Sequence, residues 1–406
     1  MRKLIAALLL APPAAFAGAY AIPNESARDL ALSQATVAGQ TGPEAAHANP
    51  AAIAGTQGLA FTVNLEMLYN STTWSDPSLG SSTLVPKANW PPELAASYGN
   101  KLPNGMGYGF GLAFLVPGGG SLPWPDHWQG AQRIQNVDQR VWLTELSGSL
   151  QPHPLVKVGA SFLYFRVQET LSQQIYFGPD SSLGSLGLAG SAVSYGLSTE
   201  IKAPNNFPLT LAVLYRHQAA LGLDGHAHFD NVPPPFASTL QDQAVHEDLT
   251  IPNDFYVGLA YDVNPNLKLM GSWNLERWIV YRNDTFVGDK GLTITVPRDY
   301  HNAYVFRFGA EYVKPSFLPA LTLRAGLLRS ISEQPTYTIS PSLTDGNSWA
   351  FSVGVGYEVI RNLRFDLSYQ YAKFNTVTST PDAFPGSYDT WVHLVSGGVT
   401  YRLPGL

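Results

Sequence analysis

The chain has 406 residues, 45% hydrophobic, 12% aromatic and only 13% charged, with 24 Lys and Arg against 30 Asp and Glu and no cysteine. A water-facing domain carries about 25% charged residues, so something other than water must cover much of this surface. The acidic balance argues against a nucleic-acid partner, and the lack of cysteine excludes a disulfide framework, a thiol nucleophile and a lipid-modified N-terminal cysteine.

In chain order, Met1-Arg2-Lys3 precedes an apolar run from Leu4 to Leu10 and the small-x-small triplet Ala15-Phe16-Ala17. This is the pattern of a secretory signal peptide over residues 1–17, too short to span a membrane as a helix. Its removal takes two cations, leaving 22 against 30, a mature net charge of −8. Residues 18–58 are rich in Ala and Gly, with a helix-compatible stretch from Ser26 to Leu32. In Asn49-Pro50-Ala51, asparagine stands at an N-cap and proline at the first helical position of a short turn. A segment of this length ahead of the first strand is expected to form a hatch, or plug.

From residue 59 to 406 the dominant signal is alternation with period two. Leu59, Phe61, Val63, Leu65, Met67 and Tyr69 interleave with small or polar residues, as do Trp349, Phe351, Val353, Val355 and Tyr357, and then Leu363, Phe365, Leu367, Tyr369 and Tyr371. No window after the signal offers 18 consecutive apolar residues, so the spanning structure this composition permits is a closed barrel with lipid outside. Fourteen segments are predicted: 59–70, 93–102, 105–116, 138–150, 155–168, 191–203, 207–230, 247–263, 266–282, 302–313, 320–330, 348–359, 362–373 and 391–403. Tight connections such as Lys101-Leu102-Pro103-Asn104 and Asn264-Pro265-Asn266 alternate with long ones, the layout of an outer-membrane barrel. The fold class is therefore all-β, an antiparallel transmembrane barrel of about 14 strands with an N-terminal hatch.

No Gly-x-Ser-x-Gly elbow, His-Glu-x-x-His, Walker loop or dinucleotide fingerprint is present, so neither an enzyme nor a cofactor is expected. His226 and His228 share a strand face, but chance placement explains them and no metal site is assigned. Arg307, Glu311, Arg324, Glu358, Arg364, Asp366 and Arg402 fall on the lumenal face of the last five strands. Paired there, they would stiffen the wall and anchor a plug, while offering an oily solute a poor path through the floor.

Asn49-Pro50-Ala51, Trp124 with Trp128, Gly130 and Arg133 in the loop after the third strand, Leu249-Thr250-Ile251-Pro252, Arg307-Phe308-Gly309-Ala310-Glu311-Tyr312 and Leu321-Thr322-Leu323-Arg324-Ala325-Gly326 occur in this order along the chain. In order and spacing the sequence resembles the FadL-type family of outer-membrane transporters for long-chain fatty acids and aromatic hydrocarbons. The resemblance implies a fourteen-stranded barrel plugged by a hatch that includes Asn49, Pro50 and Ala51. It also implies capture of ligand by outer loops, with Trp124, Trp128 and Arg133 as the residues involved, and sideways release at a kink of the third strand. Gly107, Gly109 and Gly111 lie on one face of that strand, where glycine either permits a kink or meets a lumen that requires small residues. The two tryptophans either take up ligand or pack their loop. Two departures stand out: the chain ends on Pro404-Gly405-Leu406 rather than an aromatic residue, and Ala131-Gln132 separates Arg133 from Gly130, which weakens a carboxylate-binding role for it.

The expected function is uptake of hydrophobic small molecules, fatty acids or aromatic hydrocarbons, by a monomer in the bacterial outer membrane, in contact with its lipid and lipopolysaccharide. A general porin would need an open polar lumen, and an outer-membrane lipid hydrolase a nucleophile at the rim; residues 18–58 and the missing nucleophile motif respectively separate these readings.

Overall fold

Alternation over the barrel region is realised as long antiparallel strands whose neighbours along the chain are neighbours in the sheet. The structure is a computed structural model and describes residues 26–177, 180–380 and 384–403. The expected signal peptide, residues 18–25 and Pro404-Gly405-Leu406 lie outside them. Among the described residues fourteen strands form the wall: β1 (Gly58–Asp76), β2 (Pro92–Lys101), β3 (Gly107–Ser121), β4 (Asn136–His153), β5 (Val156–Phe177), β6 (Asp180–Lys202), β7 (Leu209–Arg216, resuming as Ala219–Phe229), β8 (Gln243–Ile251, resuming as Asp254–Asn264), β9 (Leu267–Glu276), β10 (Ala303–Val313), β11 (Leu321–Ile331), β12 (Ser348–Ile360), β13 (Leu363–Phe374) and β14 (Gly386–Leu403). β14 pairs with β1 from Leu59↔Leu403 to Ser75↔Ser387, so the sheet closes on itself.

The outward direction of the apolar face is settled by exposure: Val63 is 55% exposed while its neighbour Asn64 is 3% exposed. A soluble sandwich would reverse this. Two aromatic belts bound the apolar band. Toward the long-loop end, Phe114 stacks on Trp142 at 5.6 Å, Trp273 on Tyr304 at 6.5 Å, and Tyr69 lies 5.5 Å from Trp391. Toward the short-turn end, Tyr98 lies 6.3 Å from Tyr108 and Phe207 6.1 Å from Tyr261. Amphipathic rings at two levels are what a membrane interface selects.

The largest departure from the sequence reading is the hairpin of β5 and β6, which pair from Val156↔Ile201 out to Phe177↔Asp180. The predicted segments ended at 168 and began at 191, because Gly184, Gly187 and Gly190 among serines show no apolar alternation. Beyond the band the strands no longer face lipid, so the signal that identifies them fades.

The described part of the N-terminal segment lies inside the barrel. It forms α1 (Ala27–Ala31), α2 (Ala45–Ala48) and a 3-10 turn at Pro50–Gly55. Ser26 caps α1, its hydroxyl accepting from the Asp29 amide at 3.1 Å. The expected cap at Asn49 is not made by its side chain: Pro50 stands at the start of the turn, but Asn49 Nδ2 donates to the Val37 carbonyl at 2.7 Å. Asparagine here ties two stretches of the segment together, 12 residues apart, in place of closing its own turn.

Candidate functional site

Two kinds of contact hold the segment in the lumen. The first is ionic. Arg28 donates to both carboxylate oxygens of Glu311 at 3.0 Å, Arg324 binds Glu311 and Asp366 at 2.7 Å each, and Arg364 binds Asp366 at 2.7 Å. Arg402 reaches the Thr41 carbonyl at 3.1 Å. The lumenal charges of β10, β11 and β13 thus form a connected chain that ends on the segment, and Arg402 of β14 reaches the segment separately. The second kind is steric. A Cβ on Gly109 would stand 2.5 Å from Ile53 Cγ2, one on Gly111 2.7 Å from Ala46 Cβ, and one on Gly107 would collide with the Ala54 carbonyl. These glycines are paired on both sides, to Lys101, Gly99 and Ser97 of β2 and to Gln151, Ser149 and Ser147 of β4. They form a seat for α2 and the turn, not a break in the wall.

Above the segment, toward the long loops, lies a cavity of about 300 Å³. Leu115, Val141, Leu143, Phe165, Leu214 and Leu394 make its wall largely apolar; Val37, His47 and Ala48 contribute to its floor. On one side the floor is cationic. Arg216 donates to the His47 carbonyl at 2.7 Å, and the guanidinium groups of Arg216 and Arg307 sit 5.5 and 5.9 Å from the Tyr256 ring centroid. His47 Nδ1 lies 2.6 Å from Glu145 Oε2, and Nε2 is 3.1 Å from Arg216. Burial and the adjacent Arg216 hold the imidazole below its ordinary pKa, so a neutral ring donating from Nδ1 to Glu145 and accepting at Nε2 fits both contacts. Arg307 reaches Asn274 at 3.4 Å, while its buried Nε has no hydrogen-bond partner among the described residues. Asp254 and Glu276 also border the cavity, so the floor carries both signs.

The irregular part of the third strand lies beyond the glycine seat. The ladder between β2 and β3 stops at Leu94↔Phe114, although β3 runs on to Ser121. Its pairing with β4 skips Val116 and Pro117, and Gly119 has φ +136°. Proline has no amide to donate and glycine alone adopts that φ readily, so Pro117-Gly118-Gly119-Gly120, just beyond the predicted segment 105–116, is a bend within the strand. Across from it the chain re-engages through side and end contacts, where the Val85 amide donates to the Pro123 carbonyl at 2.8 Å and Lys87 Nζ to Ser121 Oγ at 3.0 Å. Pro117, Gly119 and Gly120 line the cavity, which therefore reaches this stretch of wall.

Residues 8–402 match the family described as outer membrane protein transport protein (OMPP1/FadL/TodX). The chain belongs to that family. Its fold is similar to that of a Pseudomonas aeruginosa FadL homologue, with a TM-score of 0.81 at 17% identity over 94% of this chain and 99% of the other. For the Pseudomonas putida toluene transporter TodX the values are 0.71, 15%, 94% and 98%, and for the Ralstonia pickettii toluene transporter TbuX 0.68, 16%, 92% and 98%. No curated protein matches the sequence significantly.

In this member of the FadL/TodX family, Trp124 and Trp128 are 3% and 4% exposed and stack on each other at 4.2 Å. Their indole N–H groups donate to the carbonyls of Pro341 at 3.0 Å and Ile134 at 2.8 Å, and Trp74 and Phe384 pack against Trp128. The pair forms the core of the loop cluster and does not line the lumenal cavity. Arg133, in the same loop, is half-buried and does not line the cavity that Arg216 and Arg307 border. Missed in the sequence was a second apolar pocket of about 60 Å³ at the long-loop end, lined by Ile134, Leu171, Leu186, Phe229, Phe286 and Ile294. These residues come from the outer ends of β5, β6 and β7 and from the connections before β4 and β10, and no local pattern marks them.

Proposed function

We propose that the chain takes up hydrophobic small molecules across the bacterial outer membrane, with residues 26–57 acting as the hatch and the solute leaving sideways between β2 and the outer half of β3. The observation that carries this reading is the one-sided pairing of β3 beyond Phe114, at a place where the lumenal cavity meets the wall. The other direction, toward the periplasm, leads into the hatch and the Arg28–Glu311–Arg324–Asp366 ion pairs, where an apolar solute gains nothing by displacing hydrogen-bonded partners. The outer apolar pocket is the first stop for ligand, and the cavity below it the second. Within the cavity the buried Nε of Arg307 favours a solute with an acidic head, such as a long-chain fatty acid, whose carboxylate supplies the missing acceptor.

The test is uptake by cells holding equal amounts of assembled protein. Gly120→Trp, placing a bulky ring at the bend, should lower fatty-acid and toluene uptake at least tenfold while the barrel still shifts on a gel after boiling. Unchanged uptake overturns sideways release. Arg307→Gln should weaken fatty-acid binding and leave toluene binding as it was; equal loss for both assigns Arg307 to the wall and removes the preference for an acidic head.

A further inference from the structure

The outward faces of β4 and β5 change character just above the aromatic belt. Along β4, Leu150, Leu146 and Trp142 face lipid, and Arg140 follows; along β5, Phe162 and Tyr164 are followed by Arg166. Trp142 pairs with Arg166 and Arg140 with Gln168, so the two guanidinium groups stand on adjacent strands at neighbouring levels. The residue that follows each arginine, Val141 or Val167, is fully buried, which fixes the cations on the outside. Lys87 joins them: its Nζ donates to Asp138 Oδ2 at 2.9 Å and Ser121 Oγ at 3.0 Å, while Arg140 Nε donates to Asp138 Oδ1 at 3.2 Å. One carboxylate holds two cations in position and leaves their remaining donors outward. Arg166 is exposed and makes no ion pair among the described residues.

We propose that this sector binds the phosphate groups of the outer-leaflet glycolipid, lipopolysaccharide. Three cations stand here beside a single carboxylate, which two of them bind, in a chain whose net charge is −6. On the hairpin of β7 and β8, farther round the barrel, the exposed outward residues are instead Asp224, Asp230, Asp242 and Asp248, arranged about His228 and His246. Guanidinium groups recognise phosphate through paired N–H donors, and basic clusters at the membrane surface select anionic head groups. The height of the cluster, with Arg166 level with Trp142 and Arg140 one residue pair farther out, is that of a head group whose acyl chains run down the Phe110, Leu112 and Leu146 face. Gly119 pairs with Arg140, so a glycolipid held there borders the bend in β3, but its binding does not depend on sideways release.

The full-length protein, extracted in detergent, should retain lipopolysaccharide through purification, detected as bound phosphate and by native mass spectrometry. The variant Lys87→Gln with Arg140→Gln and Arg166→Gln should retain at least tenfold less. Arg277→Gln with Arg282→Gln and Lys290→Gln, the same loss of charge elsewhere at the long-loop end, should retain as much as the parent. Lipopolysaccharide stripped of its lipid A phosphates should not be retained by any of them. Equal retention by the first variant, equal binding of the stripped glycolipid, or no glycolipid on the parent protein overturns the proposal. Should the triple variant fail to assemble, Arg166→Gln alone, which breaks no ion pair, should cut retention at least threefold, and unchanged retention then refutes the site.

Discussion

Replacing Gly109 by alanine puts a methyl group 2.5 Å from Ile53 Cγ2 and 3.0 Å from Ser149 Oγ, where no Cβ fits without movement. The wall itself gains little or nothing to lose, since Gly109 is paired on both sides and alanine is the better residue in a strand. The misfit therefore falls on the turn Pro50–Gly55, whose Ile53 is fully buried. Overpacking of this kind costs about 1–3 kcal/mol. If about 2 kcal/mol of it loosens the turn, the open population rises roughly thirtyfold. Hydrogen exchange followed by mass spectrometry reads this directly: the Ala51 amide, which donates to Ser198 Oγ at 2.9 Å, and the Thr56 amide, which donates to the Ile53 carbonyl at 2.9 Å, should exchange faster by about that factor, with the β4 ladder unchanged. Gly148→Ala, where nothing lies within 4 Å of the new atom, should leave both as they were. Ile53→Ala added to Gly109→Ala should cost less than the two changes summed, because the clash is removed. Parental exchange rates in Gly109→Ala would show that the turn does not rest on β3.

Arg28→Met leaves Glu311 buried with one cation instead of two, and breaking a buried pair costs about 3–5 kcal/mol; protease should cut within residues 26–44 of the assembled variant and spare the parent, whereas equal resistance would show the ionic chain to be dispensable. Trp128→Ala removes a buried ring from the loop cluster at a cost of about 3–5 kcal/mol, seen as loss of near-ultraviolet dichroism and early loop melting; Trp128→Phe should retain most of the signal and most ligand affinity, and an affinity loss equal to that of alanine with intact loops would return the residue to ligand capture. Asp284 pairs with Arg298 at 2.8 Å in the hairpin of Asn283–Gly288 and Thr293–Pro297, between β9 and β10, and burial, opposed by Arg298, pushes its carboxyl up to about 6. A raised folded value means the proton is held more tightly in the folded hairpin, so this contribution is complete below the ordinary value near 3.8 and is lost as pH rises through about 6. Loop melting should accordingly come earlier at pH 7 than at pH 4.5, and Asp284→Asn should flatten the dependence; an unchanged slope assigns it to other groups.

Alternation marked the strands, because lipid on one side and lumen on the other impose period two on every one of them, and the low charge of the composition, with short turns punctuating the pattern, made the barrel rather than a soluble sandwich the expected fold. The same pattern placed Arg307, Glu311, Arg324 and Asp366 on the inner face, and their role as an anchor followed from mixed sign at close spacing. Tertiary structure decided what each inward residue meets. Gly107, Gly109 and Gly111 have the same composition whether the wall bends or a helix presses against it, and only the approach of Ile53 and Ala54 distinguishes the two. Trp124 and Trp128 look alike as ligand platforms or loop core until Trp74, Phe384 and the Pro341 carbonyl arrive from distant segments. The bend at Val116-Pro117 was visible as a Pro-Gly run but was read as the end of the strand, since proline and glycine weaken pairing in either case; the partner strand β4, which continues alongside, is what keeps it in the wall. The cationic floor at Arg216, Tyr256 and Arg307 joins three strands to His47 of the N-terminal segment, a juxtaposition that arises only when the sheet closes and the segment folds inside it.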